Sequence, residues 1–233
     1  MIMKGVLVNA ATVVAGALVG LSFKNLVSSR MAEFIKKTLG FATIIVAVKM
    51  ALSYENVLVL VSCLVAGGIA GTLLEVEKNT ERLAARMQSA FSRSGDSSFA
   101  AGFTTTSILF CTGAMAVVGS INSGTSGNHE VLYAKSVLDG VINITFGAIY
   151  GIGAAFSALS IFAYQGSIAV LASRLSFLAS PHILNDISGV GGIMILMIGT
   201  NLAGITRMPV GDYLPAIPLV VLVRMAMSAF AAP

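Results

Sequence analysis

Asp139 follows Lys135 by four residues, the spacing that puts two side chains on one helical face, inside a stretch that is otherwise largely apolar. A carboxylate in that setting can hold a cation or a proton, or it can close an ion pair with Lys135 at a helix end. Neutral polar side chains recur inside other apolar runs, namely Asn9, Asn143, Gln165 and Asn201. Their amides offer oxygen ligands to an ion and hydrogen bonds to a small solute, or they tie neighbouring helices together. Hydroxyls gather in FTTTSILFCTGAMAVVGS at 103–120, an uncharged run long enough to cross a bilayer. At 3.6 residues per turn Thr104, Ser107 and Cys111 share one face of it, with Thr105 and Thr112 on a neighbouring face.

Catalytic words are scarce. GTSG at 124–127 matches the GxSG of rhomboid-type intramembrane proteases, but serine catalysis needs a base held within reach, and His129 and His182 both fall in loops. The sequence contains no HExxH, P-loop or dinucleotide fingerprint, and Cys63 and Cys111 lie inside apolar runs where cysteine behaves as a small hydrophobe. The expectation is a protein that is not an enzyme and needs no metal or cofactor.

Composition decides what must position these residues. Of 233 residues 56% are hydrophobic and only 10% charged, well below the roughly 25% of soluble domains. The longest hydrophilic stretch, 75–98, is too short for a soluble domain. The net charge of +4 sits beside apolar runs without aromatic platforms, which points to anionic lipid headgroups rather than nucleic acid.

The pattern predicts an all-α, polytopic transmembrane helix bundle, a single membrane domain of about seven spans (six to eight). The expected spans are 5–23, 39–53, 56–74, 99–121, 135–159, 187–205 and 213–230, with a re-entrant or interfacial piece at 160–178 after a break at Tyr164 to Gly166. Two stretches, 24–38 and 75–91, read as amphipathic helices lying in the interface, joined to span four by a polar linker at 92–98. Lys49, with Glu55 beside it, and Arg224 are expected to snorkel. Seven spans with the N-terminus outside and the C-terminus inside put most lysines and arginines on the cytoplasmic side.

Glycines spaced by four, Gly16 with Gly20, Gly67 with Gly71 and Gly147 with Gly151, offer close-packing faces within the chain or between copies of it, so a homo-oligomer is an expectation. GVLVN at 5–9 echoes GVIN at 140–143, and LGFATIIVAV at 39–48 echoes SGVGGIMILM at 188–197. A three-span unit, 5–74, repeated as 140–230 around span 99–121, accommodates both echoes.

An ordered series of segments carries a resemblance: GVLVNA at 5–10, FTTTSILFCTGAMAVVGSI at 103–121, KSVLDG at 135–140, AYQGSIAVLA at 163–172, ISGVGGIMILMIGTNL at 187–202 and VGDYLPA at 210–216. In these the chain resembles the YqgA-like family of bacterial inner-membrane proteins (domain of unknown function 554) over nearly its whole length. The resemblance implies a multi-pass protein of the bacterial inner membrane, and it implies no activity, catalytic residue or cofactor.

Two readings follow. In the first the chain is a small transporter or channel for an ion or small polar solute, its pathway lined by Asn9, Thr104, Thr105, Ser107, Cys111, Asp139, Asn143, Gln165 and Asn201. In the second it is a structural or regulatory membrane protein that binds a partner or anionic lipid through 24–38 and 75–91.

Overall fold

The structure, a computed structural model, describes residues 3–26, 28–91 and 98–231. Apart from Ser98, the polar linker expected at 92–98 lies outside the described residues. In chain order the helices are α1 (Lys4–Phe23), α2 (Ser29–Ala51), α3 (Val57–Leu73), α4 (Val76–Phe91), α5 (Ser98–Cys111), α6 (Ala114–Thr125), α7 (Glu130–Tyr150), α8 (Ile152–Val170), α9 (Ala172–Leu175), α10 (Pro181–Ala203) and α11 (Ala216–Ala231). Short 3-10 turns lie at Lys24–Leu26, Ser176–Ala179 and Val210–Tyr213. Hydrocarbon offers the backbone no hydrogen bonds, so an apolar chain of this kind satisfies its own in helices.

Helices α1, α8 and α10 and the segment Val210–Ser228 are each long and apolar enough to cross a membrane. Two bent pairs add up to two more: α3 with the start of α4, bent by 56°, and α5 with α6, bent by 64°. With 23 and 21 residues, α2 and α7 have spanning length but carry charges. Large apolar side chains such as Phe41, Ile45, Leu58, Val137, Val141 and Leu222 are exposed on the outside of the bundle, as a lipid-facing surface requires.

Packing is set by small residues. Helices α1 and α7 run parallel, with Gly5 beside Leu132, Gly16 on the Gly140 carbonyl and Gly20 on that of Ile144. A Cβ at Gly16 would stand 2.1 Å from the Gly140 oxygen, and one at Gly147 would stand 2.3 Å from the Ala17 oxygen, so neither side has room for a side chain. Helices α2 and α10 run antiparallel through Gly40, Gly192 and Gly199. The helices that carry the echoing segments therefore pack on each other, in parallel in the first pair and antiparallel in the second. Gly67 and Gly71 of α3 receive Ala216 and the Asp212 carbonyl. These glycines are covered by the chain's own backbone.

The element boundaries differ from the expectation in five places. The interfacial stretch 24–38 is not a separate helix: from Ser28, whose Oγ accepts the Met31 N–H at 3.3 Å, α2 continues through 39 without a break. Nothing at 38–39 stops it, because Gly40 is occupied in packing on Gly199 and Ala203. Span 99–121 is broken at Thr112 and Gly113, where Gly113 is extended. The expected break at Tyr164 to Gly166 lies inside continuous α8, and the chain turns instead at Gly151, whose φ of +70° suits a residue without Cβ. Gly151 is thus a turn residue rather than a packing position. Asp186 lies inside α10 rather than in a loop before it, and Arg224 does not snorkel but donates from Nε to Asp186 Oδ2 at 2.7 Å. Glu55 pairs with His182, not with Lys49.

Candidate functional site

The central polar cluster is assembled from three helices. Along α7 the four-residue spacing brings Lys135 Nζ to 2.9 Å from Asp139 Oδ1 and 2.7 Å from Oδ2. The parallel docking of α1 through Gly16 and Gly20 sets Asn9 opposite Asp139, and the turn at Gly151 sends α8 back so that Gln165 comes within reach of Asn9. The Asn9 amide donates to Asp139 Oδ2 at 3.3 Å and to Gln165 Oε1 at 3.2 Å. Burial is nearly complete, with the side chains of Lys135 and Asp139 only 9% and 7% exposed. The Lys135 ammonium lies 5.9 Å from the centroid of the Phe110 ring on α5, a distance at which ring and cation attract.

One turn further along α7, Asn143 donates to the carbonyls of Val13 at 2.8 Å and Ala154 at 3.2 Å. The cluster is not saturated. Asn9 Oδ1, Asn143 Oδ1 and Gln165 Nε2 are buried without a hydrogen-bond partner among the described residues. Together with the ion pair they provide one carboxylate, one ammonium and three spare amide atoms in an interior where unpaired polar groups are costly.

A second polar site lies at the end of the bundle where α1, α7 and α10 finish and α5 begins. Thr104, Thr105 and Asn201 line a cavity of about 190 Å³ there, joined by Lys36 of α2, Glu77 of α4 and Tyr150 of α7. Thr104 is 8% exposed and its hydroxyl has no partner among the described residues. Asn201 is otherwise engaged: it accepts from Thr206 Oγ1 and Met208 N and donates to the Met208 carbonyl, each at 2.8 Å, which holds the loop after α10. Glu77 sits at the start of α4, just past the bend from α3 at Glu75. Its Oε2 accepts the Gly211 N–H, and its own N–H donates to Asp212 Oδ1 at 2.9 Å.

The residues singled out in the sequence therefore divide into two groups. Asn9, Asp139 and Gln165 meet directly with Asn143 one turn away, whereas Thr104, Thr105 and Asn201 line the cavity. Between them on α5, Ser107 donates to Ser160 of α8 at 2.9 Å, and Cys111 packs beside Val13 and Phe110. Lys36 and Glu77 were not legible as site residues, since each reads from sequence as one charge among several on a polar helical face. Asp186 was missed for a similar reason: wholly buried, it accepts from Glu55 N at 2.9 Å, Asn56 N at 3.2 Å and Arg224, clasping the α2–α3 loop and α11. The GTSG serine, Ser126, bonds to the Asn122 carbonyl, and it is Ser123 that lies 2.9 Å from His129 Nδ1.

These features define a multi-helix membrane protein with a charge pair sealed in its interior. The chain belongs to the family described as protein of unknown function DUF554, whose model matches residues 4–225. It is similar to the uncharacterized membrane protein YdfK of Bacillus subtilis, 27% identical over 228 residues that cover 95% of this chain and 96% of the relative. It is also similar to the uncharacterized protein YqgA of Escherichia coli, 26% identical over 219 residues covering 92% and 93%. No solved structure matches it.

Proposed function

We propose that this protein is a small transporter or channel of the bacterial inner membrane, carrying an ion or small polar solute, with the Lys135–Asp139 pair as its switching element. The observation that carries this reading is the sealed pair itself. Two charges removed from water are a poor source of stability, because their desolvation consumes most or all of the attraction between them. Ionisable groups inside membrane segments characteristically serve ion or proton pathways. The neighbouring break in the α5–α6 pair adds support, since discontinuous helices recur at transporter binding sites.

In this reading α2 and α7 cross together with the other long segments and the two bent pairs. The end that carries Lys24, Arg30, Lys36, Lys37, Lys78 and Arg82 faces the cytoplasm, in keeping with the inside-positive bias. Both termini then lie outside.

The test is flux into proteoliposomes containing the purified chain, over a panel of monovalent cations, protons and small neutral or zwitterionic solutes. At least one is expected to move faster than into empty vesicles, with Asp139→Asn reducing the rate about tenfold or more. Permeability equal to that of empty vesicles across the whole panel overturns the proposal.

A further inference from the structure

The cavity at the Lys36 end joins two opposite charges that do not meet. Lys36 makes no ion pair among the described residues, and its ammonium rests 5.8 Å from the centroid of the Tyr150 ring. Glu77 has no cationic partner among them either; its Oε2 accepts only the Gly211 N–H. A lone cation entering this space would meet the charge of Lys36, and a lone anion that of Glu77. A neutral solute would leave both charges short of a counter-charge.

Thr104 of α5 also borders this space. Thr106 and Thr112 bond back to the carbonyls of Gly102 and Ile108 at 2.7 and 2.6 Å, the usual resolution for a buried threonine in a helix. Thr104 does not: the residue lines the cavity, and its Oγ1 is buried with no hydrogen-bond partner among the described residues. Apolar walls from Ile198 and Leu202 complete a space of about 190 Å³, smaller than the roughly 300 Å³ at which drug-sized pockets begin.

We propose that this cavity binds a small zwitterion of the α-amino acid class, its carboxylate on Lys36 and its ammonium on Glu77. The assignment rests on the transport reading only in that the bound zwitterion is the solute carried; the site itself is defined by the cavity. Asp212, whose Oδ1 accepts the Glu77 N–H at 2.9 Å, sets a second negative charge beside this carboxylate, and an incoming ammonium supplies the positive charge that side of the cavity lacks.

The experiment is equilibrium binding of L-leucine and L-alanine to the full chain in nanodiscs, compared with 3-methylbutylamine and 4-methylpentanoate, each of which keeps the leucine side chain and one of its two charges. At least one amino acid is expected to bind, and both half-charged analogues to bind about tenfold or more weakly than leucine if leucine is the one bound. Lys36→Met and Glu77→Gln are each expected to lose about tenfold or more, with Lys36→Arg retaining most of the affinity. The analogue comparison uses the wild-type chain, so it stands whether or not a variant folds. Absence of binding by either amino acid, equal binding of an analogue, or undiminished affinity in both charge-removing variants overturns the assignment. Amino-acid binding without flux of any solute upholds the site and overturns transport, and Asp139-dependent flux without amino-acid binding does the reverse.

Discussion

The Asn9 side chain on α1 hydrogen-bonds to Asp139 on the parallel helix α7 at 3.3 Å, while Lys135 holds both oxygens of the same carboxylate from one turn away. The carboxylate is thus compensated from its own helix and located from another. Separating α1 from α7 would leave the ion pair formed but would remove its link to α8.

That arrangement predicts an asymmetry in stability. Lys135→Met strands a buried carboxylate and is expected to lower stability by about 3 kcal/mol. The double variant Lys135→Met with Asp139→Leu leaves no charge behind and is expected to lose distinctly less. Thermal unfolding in detergent monitored by circular dichroism measures both; equal losses would show that the pair's charges are not what the site balances.

The close approach of α1 and α7 predicts a position-specific intolerance of methyl groups. Gly16→Ala adds a Cβ 2.1 Å from the Gly140 carbonyl oxygen, so the helices must separate, at about 2 kcal/mol or more. Gly113→Ala meets nothing within 4 Å, and its extended backbone accepts a side chain, so it is expected to be nearly neutral. Melting temperatures of the two variants check the contrast, and similar shifts would argue against the packing described.

The same glycines explain what the sequence could and could not convey. Hydropathy marks where apolar segments lie, and the four-residue spacing of Lys135 and Asp139 announces their pair. Whether a glycine packs or breaks a helix depends on what approaches it. Gly40 continues α2 because α10 covers it, Gly113 marks the α5–α6 break, and Gly151 turns the chain, yet all three sit in similar apolar company. Lys36 and Glu77 belong to one cavity only because α2 and α4 converge on it, which no local pattern records.

Asp186 predicts a local effect at a distance in sequence. It accepts the backbone N–H groups of Glu55 and Asn56, so Asp186→Ala frees both amides. Hydrogen exchange at those two positions is expected to speed up about tenfold or more, with amides in the middle of α8 unaffected. Unchanged exchange at Glu55 and Asn56 would mean the loop is held by something other than this carboxylate.

Accessibility along α5 separates the two polar sites. A helix with one wet face would expose Thr104, Ser107 and Cys111 alike, because they share that face. The structure instead gives Thr104 and Thr105 to the cavity, ties Ser107 to Ser160, and packs Cys111 against Phe110 and Val13. With Cys63 and Cys111 replaced by alanine, Thr105→Cys is therefore expected to react with a small water-soluble thiol reagent applied from the Lys36 end, and Ser107→Cys to react at least about tenfold more slowly. The reagent must reach the cavity without crossing the bundle, so labelling from the opposite end should be slow at both positions. Comparable rates at 105 and 107 would indicate a continuous aqueous row down α5, and failure of Thr105→Cys to react would mean the cavity is closed to water in the state the protein adopts in membranes.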